Sequence, residues 1–160
     1  MTLALRVLAS HGVAHTCHEY RYVAHGGTAE AARQLGVDEH SIVKTLVLGS
    51  DEGQTPTILL MLMHGDAEVS TRALARAVGA RAIAPCAQAV AERVTGYQVG
   101  GISPFGTRQP LPVYVEASVL ELPRLFINGG RRGLLVELSP AALLSVLEAT
   151  PVQARAGLNP

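Results

Sequence analysis

The chain is short of lysine, of aromatics and of charge. Its 160 residues hold a single lysine, Lys44, beside twelve arginines, and they include no tryptophan. Charged residues make up 16% and the formal net charge is zero, which excludes broad electrostatic adhesion to nucleic acid or to an anionic surface. A small, shaped nucleic-acid site is not excluded. Two cysteines, Cys17 and Cys86, supply no disulfide framework and no zinc spacing, and they fit a reducing compartment. No run reaches the roughly 18 apolar residues of a membrane helix, and Met1–Arg6 opens no secretory pattern. The expectation is a cytoplasmic protein without a membrane segment.

What is present is enough apolar residue, 48%, to bury a core in one domain. Thr2 caps a short amphipathic helix that Gly12 closes. The stretch from His15 to Tyr22 alternates as a strand, and Thr28 to Leu35 reads as a helix ended by Gly36. Ile42 to Leu48 and Thr57 to Met63 read as a hairpin joined by a turn at Ser50–Pro56. Ser70 caps a helix that Gly79 ends; Arg81 to Ala84 is a brief strand, and Pro85 opens a helix to Val94. From Gly96 to Pro112, glycine and proline replace periodicity, as in loops that carry functional groups. Val113–Val115, Arg124–Asn128 and Leu134–Leu138 read as strands. Ser139-Pro140 starts a last helix to Ala149, and the tail beyond has little to anchor it. Helices and strands mix without strict alternation, which predicts a single α+β domain with a mixed, curved, barrel-like sheet flanked by helices.

Three features carry candidate chemistry. Lys44 lies in the apolar run Ser41-Ile42-Val43-Lys44-Thr45-Leu46-Val47-Leu48 and shares a strand face with Ile42, Leu46 and Leu48. A compact ammonium there is costly to desolvate, so it either serves a pocket or snorkels to water from an edge strand. The run Gly96-Tyr97-Gln98-Val99-Gly100-Gly101-Ile102-Ser103-Pro104-Phe105-Gly106 allows close backbone approach to a ligand, or forms a wide turn. It is neither a P-loop nor a dinucleotide fingerprint, because no Gly-Lys-Ser/Thr and no helix pattern follow. Asn128-Gly129-Gly130-Arg131-Arg132-Gly133 is a plain turn with solvated arginines, or a backbone cradle with an arginine facing an anion. His15, Cys17 and His18 lack the rest of a metal set, Cys17 and Cys86 read as small apolar residues, and His64 reads as a turn histidine.

Taken together, Ser41 to Val47, Thr95 to Gly106, and Gly129 to Leu134 with Glu137-Leu138-Ser139-Pro140 resemble the YbaK/ProX family of prolyl-tRNA-synthetase-associated editing domains. The likeness covers nearly the whole chain. It implies an editing domain over residues 1–150, a tail over 151–160, and hydrolysis of mischarged aminoacyl-tRNA, Cys- or Ala-tRNA(Pro). It implies catalytic roles for Lys44, Gly100 and Gly101, with Lys44 holding the tRNA 3′ end and Gly101 central to a Gly-x-x-x-Pro loop. Substrate contacts fall to Tyr20, Thr45, Ile102, Ser103, Pro104, Asn128, Gly129, Gly130 and Arg131. No metal and no cofactor is implied; the partners are the aminoacyl-tRNA acceptor end and, as a candidate, prolyl-tRNA synthetase. Leu135 stands where the cysteine-specific branch carries an aspartate, Asn128 where it carries a serine, and glycine replaces an aromatic near Gly26-Gly27. The alternative function is a relative that binds tRNA or a small metabolite without hydrolysis.

Overall fold

Two long strands form the spine of the computed structural model, which describes residues 1–50 and 57–157. Strand β2 (Ile42–Ser50) and strand β3 (Thr57–His64) pair antiparallel from Val43↔His64 to Ser50↔Thr57. The expected turn at 51–56 lies outside the described residues. β3 reads Thr-Ile-Leu-Leu-Met-Leu-Met-His, a continuous apolar run rather than an alternating one, because both of its faces are buried. Leu60 and Leu62 enter the main core with Val43, Val47, Val113, Val115, Ile127 and Phe105. Leu59, Met61 and Met63 enter a second cluster with Leu48, Leu74 and Ile83.

The other strands are β1 (Thr16–Glu19), β4 (Ala84–Pro85), β5 (Val113–Glu116), β6 (Leu125–Asn128), β7 (Leu134–Leu138) and β8 (Ala149–Val152). All eight join one curved, open sheet ordered β1-β7-β6-β2-β3-β5-β8, with β4 added to β2. The β2/β6, β3/β5 and β5/β8 pairs are parallel and the rest antiparallel, so the sheet is mixed, as expected. The helices are α1 (Leu3–Ser10), α2 (Gly27–Leu35), α3 (Thr71–Val78), α4 (Gln88–Thr95) and α5 (Pro140–Val146). Thr2, Ser70 and Ser139 cap α1, α3 and α5 through their hydroxyls. Gly36, Gly79 and Gly96 end α2, α3 and α4 in the left-handed conformation. α1, α4 and α5 contribute to the main core, α3 to the second cluster, and α2 to a third with Ile42, Phe126 and Leu135.

Five sequence expectations need correction. The brief strand is Ala84–Pro85, not 81–84, and α4 starts at Gln88 rather than at Pro85. Pro85 is tolerated because it opposes Leu48, whose main-chain groups point to β3, so its missing N–H costs no ladder bond. The last helix stops at Val146, and the stretch after it is anchored. β8 pairs with β5, Ala154 is buried, and its N–H donates to the buried Glu116 carboxylate at 2.7 Å. His64 is not a turn residue; it is the fully buried last residue of β3.

Candidate functional site

The sheet contains a break, and the break makes the site. The second edge of β2 pairs with β6 only at Ile42 and Val43, and with β4 only at Leu48 and Gly49. Between these contacts the edge is open. The Gly65 N–H bonds the Ile42 carbonyl on the β3 side, and the Cys86 N–H bonds the Val47 carbonyl on the other side. Alternation then turns the main-chain N–H and C=O of Thr45 toward the break. A cavity of about 650 Å³ occupies it, inside the roughly 300–1,000 Å³ range of small-ligand pockets. Six consecutive residues, Ile42 to Val47, line that cavity. A strand buried flat in a sheet would offer alternate residues only; an open edge offers them all.

Lys44 therefore sits on a cavity wall. Its side chain is 22% exposed, and its one ion pair among the described residues, to Glu68 at 3.6 Å, reaches a carboxylate that is itself 86% exposed. Lys44 lies on the open edge of β2 and also lines the cavity, so the fold accommodates both readings left open by the sequence. Thr45 shares the wall, and its Oγ1 is buried with no hydrogen-bond partner among the described residues.

The opposite wall is the glycine-rich loop. Val99, Gly100 and Ile102 line the cavity; Gly101, Ser103 and Pro104 do not. The Gly101 N–H donates to the Gln98 carbonyl at 2.8 Å, closing a turn. A Cβ on Gly101 would lie 2.6 Å from the Arg132 main-chain nitrogen, so this glycine permits backbone packing. Ser103 is fully buried, and its Oγ accepts from the Phe105 N–H. The backbone N–H groups of Gly100 and Ile102 have no hydrogen-bond partner among the described residues. Gly100 holds a φ of +92° beneath the Tyr22 ring, where any Cβ would overlap the ring at 2.9 Å.

The turn between β6 and β7 supports this loop. Asn128 Nδ2 donates to the Gly100 carbonyl at 3.3 Å, and Asn128 Oδ1 accepts from the Gly130 N–H at 2.7 Å. Arg132 Nε donates to the Val99 carbonyl at 2.9 Å. Gly129 and Gly130 stay outside the cavity, packed against Leu134 and against Tyr97, Thr2 and Ala4. Arg131 turns away to Glu19, at 2.8 Å, beside a separate hollow near the N-terminus.

Of the residues singled out from the sequence, Tyr20, Lys44, Thr45, Gly100, Ile102 and Asn128 meet in one cavity. Gly101, Ser103, Pro104, Gly129, Gly130 and Arg131 do not line it. Sequence reasoning missed Tyr22, His25, Cys86 and Gln88, all of which line it; of the two arginines in the 128–133 turn it carried Arg131 forward, whereas Arg132 is the one on the lining. The two members of the arginine doublet have different partners, Arg131 the Glu19 carboxylate and Arg132 the Val99 carbonyl. The departures at Gly27, Asn128 and Leu135 all fall on the cavity wall.

One further cluster is assembled by the fold. His40, His64 and Asp66 bring a ligand atom each within 4.8 Å of one another. The imidazoles of His40 and His64 stack face to face, 3.7 Å apart and 7° from parallel, so their nitrogens do not converge. His64 is also saturated: Nδ1 donates to the His40 carbonyl at 2.7 Å, and Nε2 accepts from the Ser118 hydroxyl at 2.7 Å. Burial, the largest influence, holds the His64 imidazole below its ordinary pKa, with His40, Asp66 and Arg155 as the charged neighbours. An unfolded histidine takes up a proton near pH 6.5 while the native one does so lower. Stability is therefore level above neutrality and declines as pH falls below about 6.5, by about 1.4 kcal/mol for each unit of displacement. Urea midpoints at pH 7.5 and 5.5 check this; the decline is expected to be smaller in His64→Gln.

The mixed, curved sheet has close counterparts among solved structures. A solved structure described as a candidate trans-editing enzyme for prolyl-tRNA synthetase superposes with a TM-score of 0.82 at 26% identity, covering 98% of this chain and 99% of that one. The family model of the aminoacyl-tRNA editing domain matches residues 25–146, and the chain belongs to that family. It is 30% identical over 147 residues to the candidate Cys-tRNA(Pro)/Cys-tRNA(Cys) deacylase EbsC of Enterococcus faecalis, covering 91% of this chain and 87% of that protein. A segment of the proline–tRNA ligase of Ralstonia nicotianae is 33% identical over 89 residues, 55% of this chain and 16% of the ligase. Among the described residues no helix is long and apolar enough to cross a membrane.

Proposed function

We propose that the chain is a trans-acting aminoacyl-tRNA deacylase that hydrolyses the ester of mischarged proline tRNA. The observation that carries this reading is one cavity with Lys44 on one wall and the unbonded amides of Gly100 and Ile102 on the other. An aminoacyl ester is already activated, so the barrier is modest. Water adds to the ester carbonyl carbon, the bond to the terminal ribose oxygen breaks, and the proton released by water ends on that oxygen. Amides aimed at the developing oxyanion contribute roughly 10²–10³-fold per donor. In this scheme the oxyanion donors are Gly100 and Ile102, because the Gly101 N–H is committed to its own turn. Lys44 anchors the terminal nucleotide as a compact charge.

The amino acid side chain falls against Tyr20, Thr45 and Leu135. Leu135 presents an apolar wall there in place of the aspartate of the cysteine-specific branch, a surface that suits an apolar side chain such as the methyl of alanine. Thr45→Val removes a hydroxyl that has no partner in the folded chain. Its stability is expected to stay level or rise by up to about 1 kcal/mol, while kcat/KM for the preferred substrate falls. Thermal melts beside deacylation kinetics check both halves.

The deciding experiment is a panel of charged tRNAs. Release of alanine or cysteine from tRNA(Pro) above the buffer rate is the expected result. Binding of tRNA without release across the panel would instead establish the non-catalytic relative.

A further inference from the structure

We infer that Arg132 is a second anion anchor of the cavity, binding a phosphate of the tRNA 3′ end. The inference rests on the deacylase reading above and names a contact that reading does not include. Arg131 is diverted to Glu19, whereas Arg132 lines the cavity. Its guanidinium is held twice, by the Nε–H···O bond to Val99 and by the Tyr22 ring, whose centroid lies 4.8 Å from Cζ. It joins none of the ion pairs among the described residues. Both terminal NH₂ groups are without a hydrogen-bond partner among those residues, leaving the edge that recognises phosphate in bidentate fashion.

The charge balance of the wall points the same way. Among the described residues Glu30 is the one carboxylate lining the cavity, and both of its oxygens are taken by Arg33 and Gln34. Against it stand Lys44 and Arg132. A chain of zero net charge has no general field with which to gather polyanions, so attraction to nucleic acid must be local. Two cations from distant segments, one on β2 and one in the β6–β7 turn, face one hollow. The uncleaved ester carries no carboxylate, so the substrate's anionic groups are its phosphates. The rigid mounting on Tyr22 and Val99 also spares Arg132 part of the entropy a flexible side chain loses on binding.

The test compares Arg132→Gln, Arg132→Lys and wild type. Glutamine keeps an N–H donor for the Val99 carbonyl and removes the charge. Kinetics are measured on Cys- or Ala-tRNA(Pro) and on the corresponding 3′-aminoacyl-adenosine, which has the ester and the nucleoside but no phosphate. Arg132→Gln is expected to raise KM for charged tRNA by about 10–100-fold and to cost the adenosine ester several-fold less than it costs charged tRNA. The slope of log affinity against log salt should fall by about 0.7, the value of one phosphate contact on a single strand. Arg132→Lys should recover part of the tRNA affinity.

Equal losses on both substrates would overturn the inference in favour of a loop-bracing role, and unchanged tRNA kinetics would overturn it outright. Product inhibition by the free amino acid that weakens in Arg132→Gln, with tRNA affinity intact, would also overturn it, because the group recognised would then be a carboxylate. Should wild type hydrolyse neither substrate, the deacylase reading fails, and titration with uncharged tRNA(Pro) still decides Arg132. Weaker binding with a smaller salt slope in Arg132→Gln supports the anchor; equal binding removes it.

Discussion

Lys44→Ala is expected to lower deacylation of mischarged proline tRNA by about 100-fold while the fold stands, the loss being that of a charge-assisted contact. Two observations separate activity from stability here. Among the described residues the lysine's one ion pair is to an exposed Glu68 at 3.6 Å, and such pairs contribute about 0–1 kcal/mol. The neighbours that hold β2 in place are elsewhere: Val43 and Val47 in the main core, Leu48 in the second cluster and Ile42 in the third. Truncating the side chain widens a cavity that already exists and leaves no buried group orphaned. Lys44→Arg is not expected to restore the rate, because a planar fork cannot occupy the place of a compact ammonium. Single-turnover kinetics and melting curves on the two variants provide the measurement. Wild-type rates in Lys44→Ala would remove the residue from the mechanism.

The second large effect is expected from Gly101→Ala, and its cause differs from that of Lys44→Ala. The new methyl would lie 2.6 Å from the Arg132 nitrogen and 2.7 Å from the Arg131 carbonyl carbon, both main-chain atoms that cannot rotate aside. The glycine-rich loop must lift away from the β6–β7 turn. That strains the Arg132–Val99 and Asn128–Gly100 bonds that hold the cavity's rear wall. Overpacking of this kind costs about 1–3 kcal/mol, and displacement of the Gly100 and Ile102 amides costs activity in addition. Both melting temperature and kcat/KM should fall, in contrast with Lys44→Ala, where only the rate falls. A full rate in a destabilised Gly101→Ala protein would show that the loop can move without disturbing catalysis.

Much of this was legible in the sequence, for identifiable reasons. Lys44 stood out because a charge within a branched apolar run has few explanations, and the loop stood out because glycines and prolines interrupt every periodicity there. The mixed α+β class followed from element order, and three caps followed from the hydroxyls that precede helical patterns. What stayed hidden was direction. Within a glycine-rich turn, the dihedral angles decide which amide closes the turn, and here it is the Gly101 N–H, bonded to the Gln98 carbonyl. Arg131 and Arg132 are adjacent, yet one reaches Glu19 and the other Val99. β8 was missed because Ala149-Thr150-Pro151-Val152 shows no alternation; its pairing is decided by β5, more than thirty positions upstream. Cys86 and Gln88 reach the cavity because Pro85 can sit in a two-residue strand, which no pattern announces.

The hollow in the sheet borrows its walls from five separated stretches, at 20–31, 42–47, 86–91, 99–102 and 128–135. No fragment of the polypeptide owns a working portion of it, so the recognition surface should appear and vanish together with the cooperative folding of the whole. Any molecule that fits there consequently acts as a clasp on the entire architecture, and occupancy becomes readable as heat resistance without observing chemistry at all.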